Sequence, residues 1–314
     1  MRRTLLVGLS VFAMLTLNVA LADADGASVR TGVIHAMKVN KPAHHKRGGG
    51  SVLLSSHAGA IERTPSVFII YWGPEWASGF TTGGHTSAAA QSYVQGFFGN
   101  VGGSSWANST AQYCQGVAAG TTNCAGIAGA VFVNNPSGQL TGVWNDTSPV
   151  PSRLGTSNIA GEALNAVAHF GYNANADYMV FTPSGLSTSG FGTQFCAWHS
   201  STSSSSGPVS FSNIPYQPDA GAACGMNFVN SNGYFDGFSI VGGHEYAETV
   251  TDPFPSSGWV DGAGAENGDK CAWISSGQGA AQNVTLSGGV SYPVQSLWSN
   301  AFNGGVGGCV VSYP

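Results

Sequence analysis

Apolar strand-like runs alternate with helical patterns between residues 66 and 182. The runs at 66–72, 128–134 and 178–182 are apolar and rich in strand-forming residues, and the first ends at Gly-Pro, as a buried strand does. Residues 86–99 and 159–170 instead place apolar side chains near helical spacing. The order strand, helix, strand, helix, strand predicts an α/β fold with a central sheet flanked by helices. Three residues of the second helix are expected to face inward, namely Leu164, Val167 and Ala168.

Residues 64–314 are long enough for one domain with a sizeable core. Only 8% of the chain is charged while 42% is hydrophobic, which excludes a disordered chain. Glycine and serine are plentiful, so we expect long Gly/Ser-rich loops around the core, and the serine-rich stretch 200–206 is interpreted as one of them.

The chain contains six cysteines, which in an exported protein predict three disulfides. The connectivity is not fixed by the sequence, and pairing of neighbours is the simplest proposal. That proposal gives Cys114–Cys124, Cys196–Cys224 and Cys271–Cys309. No Cys-x-x-Cys spacing is present, so a thiolate zinc site is not expected.

The first residues have the pattern of a signal peptide. Arg2 and Arg3 precede an uncharged run from Leu5 to Leu17, and Ala20-Leu21-Ala22 supplies a small-residue cleavage site. We therefore expect residues 1–22 to be removed and the mature protein to be secreted or periplasmic and not embedded in a membrane. An uncleaved anchor is the alternative, since the run is close to spanning length.

Charge is distributed unevenly along the chain. Residues 23–63 hold six basic and three acidic residues, whereas residues 64–314 hold twelve acidic residues against Arg153 and Lys270. We expect residues 23–63 to be disordered or extended and to act either as a removable pro-segment drawn to an acidic cleft or as a linker. His44-His45 could also bind a metal weakly. The acidic body disfavours nucleic acid as a partner, since phosphate binding needs clustered Lys and Arg.

The segment His244-Glu245-Tyr246-Ala247-Glu248 predicts a metal site. Residues four apart on a helix share a face, so His244 and Glu248 would converge on one ion. A catalytic zinc needs a third protein ligand, which we assign to Glu266 with Asp269 as its competitor or as a supporting group. Glu245 then has the position of the general base in zinc proteases. An acidic, solvated helix face is the alternative interpretation of this short pattern.

The identity of the ion follows less strictly from the residues. One histidine with two carboxylates favours zinc but also suits Mn²⁺ or Ca²⁺. His199 follows a cysteine that is expected to form a disulfide, and it either assists the site or serves as a hydrogen-bonded structural side chain.

Several segments resemble the phosphate-induced, exordium-like family of secreted proteins. These segments are HEYAETVTDP at 244–253, Gly258-Trp259, and Glu266 to Cys271. Bacterial relatives of the family also share segments similar to YWGPEW at 71–76 and FCAWHS at 195–200. The resemblance covers roughly residues 64–314. It implies a secreted, disulfide-bonded α/β domain with a metal site, and the bacterial relatives are often described as peptidases.

Two functions follow from these residues. The first is a metal-dependent endopeptidase that acts on extracellular protein or peptide, and the second is a non-enzymatic exordium-like protein with a structural metal or none. A serine hydrolase is disfavoured because PSGLSTSG at 183–190 lacks the Gly-x-Ser-x-Gly spacing. A glycosidase using Glu245 and Glu266 would leave His244 without a role.

Overall fold

The computed structural model describes residues 31–40 and 52–313. The expected signal peptide at 1–22 and the pair His44-His45 lie outside the described residues. No helix within these two ranges is long and apolar enough to cross a membrane.

Most of the regular structure consists of short strands around three long helices. The strands are β1 His35–Lys38, β2 Ser55–Ser56, β3 Ser66–Trp72, β4 Thr81–Thr82, β5 His85–Thr86, β6 Cys114–Gln115, β7 Val131–Phe132, β8 Leu140–Asp146, β9 Ala176–Phe181, β10 Phe195–Ser204, β11 Gly207–Ile214, β12 Trp259–Val260, β13 Gln282–Thr285, β14 Ser291–Val294, β15 Leu297–Ser299 and β16 Gly308–Val310. The helices are α1 Pro74–Ser78, α2 Ser87–Val101, α3 Thr156–Phe170, α4 Asp236–Thr251 and α5 Phe302–Gly305. Short 3₁₀ helices span Ala107–Gln112, Gln217–Cys224 and Asp269–Cys271.

Six of the strands form one mixed sheet in the order β1-β10-β11-β9-β3-β8. Strands β11, β9, β3 and β8 run parallel, and β10 and β1 add antiparallel at one edge. The fold is therefore the expected α/β class, with a central sheet flanked by helices.

The two faces of the sheet bury separate apolar clusters. Alternate residues of β3 point to opposite sides, so Ile69 and Tyr71 pack with α2 and α4, while Ile70 and Trp72 pack with α3. All six cysteines lie on the α4 side and form the three disulfides Cys114–Cys124, Cys196–Cys224 and Cys271–Cys309. These are the neighbour pairs that the sequence suggested.

The strand expected at 128–134 is wrong in extent and in partner. Only Val131–Phe132 is extended there, and it pairs with β6 outside the central sheet. The sheet instead uses β8, whose residues alternate between more and less exposed positions as an edge strand does. Its sequence, LTGVWND, holds polar residues and a glycine, so it lacks the continuous apolar run of a buried strand.

Two further expectations need correction. The serine-rich stretch 200–206 is a hairpin between β10 and β11 and not a loop, because Ser200, Ser210 and Ser212 are buried within the sheet. In α3, Ala168 is exposed, whereas Ile159, Ala160, Ala163 and Ala166 are buried. Small residues on that helix let it lie close against the sheet.

Part of the range 23–63 is folded onto the domain, and of the two expected conformations, disordered or extended, residues 35–38 take the extended one. Strand β1 pairs with β10, and β2 pairs with β12. Leu54 and Ile61 are buried in the core on the α4 side. Apolar residues in this basic stretch thus have partners that its composition did not reveal.

Candidate metal centre

Helix α4 lies in the interior, and all sixteen of its residues are buried. Gly242 and Gly243 face aromatic rings, since a Cβ at Gly243 would lie 3.1 Å from both Phe97 Cζ and Trp106 Cη2. The glycine pair thus lets side-chain rings lie against the helix backbone. The helix ends at Thr251, because the residue before Pro253 is disfavoured in a helical conformation.

His244 and Glu248 meet on the side of α4 that faces the 266–269 loop. His244 Nε2 lies 3.0 Å from Glu248 Oε1, which is the contact expected for residues four apart. The other ring nitrogen, Nδ1, is 3.2 Å from Gln295 Oε1. Donation of the Nδ1 proton to that amide oxygen leaves the Nε2 lone pair directed at the cluster, as in metal-binding histidines.

The loop that carries Glu266 and Asp269 is held against α4 by its own backbone and amides. Asn267 Nδ2 donates to Ala247 O at 2.8 Å, and the Asp269 N–H donates to Glu248 Oε1 at 2.9 Å. Between them, Gly268 leaves no space for a side chain, since a Cβ would lie 2.7 Å from His244 Nδ1. The disulfide at Cys271 anchors the far end of the loop.

His199 enters the same cluster from strand β10. Its Nδ1 lies 3.2 Å from Glu245 Oε2, and its Nε2 lies 3.6 Å from Glu266 Oε1. The side chain is completely buried. The structure therefore brings His199 into contact with the predicted site residues, which is compatible with both roles considered for it.

A third histidine comes from β1, where no site residue was expected. His35 Nε2 contacts Asp269 Oδ2 at 2.5 Å and Glu266 Oε2 at 3.3 Å. His35 is the register partner of His199 across the two strands. The sequence offered one signal, the mostly apolar run VIHAMKV at 33–39, whose three β-branched residues favour a strand.

The donor atoms form three overlapping groups in which every atom lies within 4.8 Å of the others. Glu248 belongs to all three: with His244 and Glu245, with His199 and Glu266, and with His35 and Asp269. The predicted site residues thus lie in overlapping groups around Glu248, but none of these groups contains both His244 and Glu266. Glu266 joins Glu248 through His199, and Asp269 joins it through His35.

The fit to a metal rests on buried donor atoms that make no aligned hydrogen bond and whose short contacts, such as that of His244 Nε2 with Glu248 Oε1, are with other members of the cluster. Polar atoms are rarely left unpaired in a protein interior, because their desolvation is not offset. Six such atoms lie within this one cluster: His199 Nε2, His244 Nε2, Glu245 Oε1, Glu248 Oε2, and Glu266 Oε1 and Oε2. Imidazole nitrogen with carboxylate oxygen is a donor set suited to Zn²⁺, and also to Mn²⁺.

The pKa values in the cluster reflect burial opposed by neighbouring charge. Burial lowers the pKa of His244, but the charge of Glu248 outweighs it and raises the pKa to about 9. Burial also opposes the charged form of His199, yet Glu266 and Glu245 raise its pKa well above the usual value. The carboxylates around these two imidazoles thus favour positive charge in the cluster.

The pKa values of the carboxyl groups shift in both directions. Burial would raise the pKa of Glu248, but His244 and the other histidines hold it below the usual value. For Glu266 and Glu245, burial raises the pKa despite the opposing effect of His199. Of these three glutamates, Glu248 is thus the one whose ionised form the cluster favours.

Two further buried acids lie near the cluster and were not identified from the sequence. Burial raises the pKa of Asp177 to about 7 and that of Glu62 well above its usual value. Asp177 Oδ2 accepts a hydrogen bond from Ser212 on β11, the register partner of His199. Their positions depend on strand pairing, which no local pattern indicates.

The chain was compared with protein-family models, with curated proteins and with solved structures, and none of these comparisons found a match.

Proposed function

We propose that the protein is a secreted, metal-dependent endopeptidase that binds zinc, or alternatively Mn²⁺ or Ca²⁺. His244, Glu248 and Glu266 would hold the ion, and His199 adds a fourth donor. The observation that carries the proposal is the set of six buried donor atoms from α4, β10 and the 266–269 loop that make no aligned hydrogen bond and lie around Glu248. The three disulfides are consistent with an oxidising extracellular environment.

A bound divalent ion supplies Lewis acidity to a peptide carbonyl and to water. Glu245 acts as the general base, because its Oε1 has no partner in the cluster and can accept a proton from the attacking water. His199 Nδ1 contacts the other oxygen of Glu245 and fixes the carboxyl group. The proton then passes from Glu245 to the leaving amine as the C–N bond breaks, so a carboxyl and an amine end result.

The proposal is tested with the substitution Glu245→Gln. We expect bound metal to be retained and the rate of casein cleavage to fall by about 10²- to 10⁴-fold, because the amide cannot accept the proton. Metal content is measured by elemental analysis, and cleavage is assayed with and without chelator. The chain is assayed intact and after cutting between residues 41 and 51, since β1 covers the cluster in the intact chain.

The matched control is Asp219→Asn, an acid outside the cluster whose partners are Ser184 and Gly185. It should retain both metal and cleavage. A protein that is replete with metal but cleaves nothing in either form contradicts the peptidase assignment.

One observation favours the non-enzymatic alternative. Five side chains of the cluster have no solvent exposure while β1 is in place, namely His199, His244, Glu245, Glu248 and Glu266. A structural metal needs no access for substrate. Metal that is bound without any cleavage, and whose removal lowers the unfolding temperature, would identify this exordium-like role.

A further inference from the structure

We propose that the edge of β10 beside the cluster binds an extended polypeptide, and that residues 31–40 occupy this edge in the intact chain as a built-in competitor. The inference deepens the proposed function and rests on it in one respect, namely that the bound polypeptide is taken to be the substrate. The binding itself does not depend on catalysis.

The contacts between residues 31–40 and β10 are mostly those that any polypeptide can make. His35, Ala36 and Met37 pair antiparallel with His199, Trp198 and Ala197. The pairing is extended by a main-chain bond from Gly32 N to Ser201 O at 2.6 Å, and Asn40 N donates to Ala223 O of the 3₁₀ helix Gln217–Cys224 at 2.8 Å. Addition of a strand to a sheet edge gives affinity through main-chain hydrogen bonds, and side chains add specificity.

The side chain of His35 closes the cluster. It contacts Asp269 and Glu266 and is 15% exposed, whereas Glu266 behind it has no exposure. Because Glu245 and Glu248 are also completely buried, no peptide bond can reach them while β1 is in place. Release of residues 31–40 would open the cluster and leave the edge of β10 free at the same time.

The opposite side of β1 indicates which polypeptides fit. Ala36 points away from the cluster and, together with Trp198, Phe195 and Leu154, lines a cavity of about 260 Å³. The methyl group of Ala36 does not fill this cavity. A substrate strand with a larger apolar residue at the position of Ala36 would bury more surface there, so we assign an apolar preference at that position.

The first experiment measures peptide binding. Residues 44–50 are replaced by a recognition sequence for a specific protease, the folded full chain is cut, and the N-terminal fragment is separated by gel filtration. The opened protein is titrated with a fluorescent peptide of residues 31–40, TGVIHAMKVN, with Zn²⁺ present. We expect saturable binding, weakened about tenfold or more by His35→Ala in the peptide and strengthened several-fold by Ala36→Leu.

The matched control peptide carries Val33→Ala, because Val33 is 61% exposed. Its affinity should equal that of the unchanged peptide. An N-terminal fragment that stays bound during gel filtration and is not displaced by excess peptide would overturn the inference, as would equal affinity for the His35→Ala and Val33→Ala peptides.

The second experiment measures access to the cluster in the uncut chain. Protein loaded with Zn²⁺ is mixed with a chromogenic chelator, and the rate of metal transfer is followed. We expect His35→Ala to raise this rate about tenfold or more and Val33→Ala to leave it unchanged, since only the former opens the cluster. Equal rates would contradict the role of His35.

The two proposals fail in different ways. If the protein binds no divalent metal, the proposed function is wrong, but saturable peptide binding would still establish that the edge of β10 binds a polypeptide. Metal binding and casein cleavage by the uncut chain at the same rate as the cut chain would overturn the inference and leave the proposed function intact.

Discussion

Gly268 decides how closely the 266–269 loop approaches α4. An added Cβ would lie 2.7 Å from His244 Nδ1 and 2.9 Å from Glu248 Oε1, both shorter than an ordinary contact. The residue makes no side-chain contact of its own, yet it allows the Asp269 N–H to reach Glu248. The geometry of the donor atoms thus depends on a residue that carries no donor.

The substitution Gly268→Ala should therefore weaken metal binding. The new methyl group displaces the ring of His244 or the carboxylate of Glu248, and we expect a loss of zinc affinity of about ten- to a hundredfold, as for changes that misorient a ligand. Affinity is measured by competition with a chelator of known strength. The control is Gly99→Ala in α2, where the nearest heavy atom is 4.0 Å away. Unchanged zinc affinity in Gly268→Ala would contradict this account of the loop.

The spacing of residues in the sequence predicted some members of the cluster and could not predict others. His244, Glu245 and Glu248 lie on one helix, and Glu266 and Asp269 follow it closely, so local geometry brings them near one another. His199 contacts Glu245 across 46 positions, and His35 contacts Asp269 across 234. Those contacts depend on which strands pair, and the residue types alone do not determine the pairing.

At the scale of elements, α4 is held by close packing and not by an amphipathic face. Apolar and polar residues alike are buried along it, from Phe238 through Glu248. Its two glycines let the rings of α2 lie directly on the helix backbone. Close contact of this kind tolerates little added volume.

We expect Gly243→Ala to destabilise the protein by about 1–3 kcal/mol, because the methyl group would be 3.1 Å from the rings of Phe97 and Trp106. The same change at Gly99, on the exposed side of α2, should be neutral or stabilising by about 0.5–1 kcal/mol, since it only improves helix propensity. Urea unfolding of the two variants measures both values. A stabilised Gly243→Ala variant would contradict the packing described for α4.

The elements that could be predicted are those whose own residues specify them. Strand β3 was predicted at its observed bounds, because six apolar or β-forming residues follow Ser66 and end at Gly-Pro. Strands β10 and β11 were missed because many of their residues are serine or threonine, although both strands lie inside the sheet. On β11, for example, Ser212 donates a hydrogen bond to Asp177 of the neighbouring β9. In such strands hydrogen bonds between neighbours satisfy the polar side chains, and the hydrophobic pattern is weak.

At the scale of the whole molecule, buried acids make stability depend on pH. Glu162 lies in α3 on the face of the sheet opposite the cluster, where burial and the neighbouring Asp146 raise its pKa from 4.5 to about 8. The folded state therefore holds a proton that the unfolded chain releases at lower pH. Stability contributed by the neutral carboxyl is present below pH 4.5 and is lost as the pH rises towards about 8.

Glu162→Gln should remove this dependence. The amide stays neutral, so we expect the unfolding temperature to fall less between pH 5 and pH 9 in the variant than in the unchanged protein. Some dependence remains, because burial also raises the pKa of Glu62 and Asp177. Thermal unfolding at several pH values measures the difference. Parallel curves for the two proteins would show that Glu162 ionises freely in the folded state.

The fold class and the three disulfides could be predicted because they depend on the order of elements and on a small number of cysteines. The role of residues 31–40 could not, because composition averages over the whole basic segment. Within it, Met37 and Val39 are buried and fix β1 to the sheet. A few apolar side chains thus determine the position of a segment whose net positive charge would suggest exposure to solvent.

Strand β10 is ten residues long, and its outer side is paired with β1. Without that pairing, a row of N–H and C=O groups would lie open at the margin of the sheet, ready to join the same row on another molecule. The short strand that carries His35 therefore covers part of an edge that would otherwise be open to pairing with another copy. A chain with β1 in place thus presents less open strand edge than one from which residues 31–40 have been released.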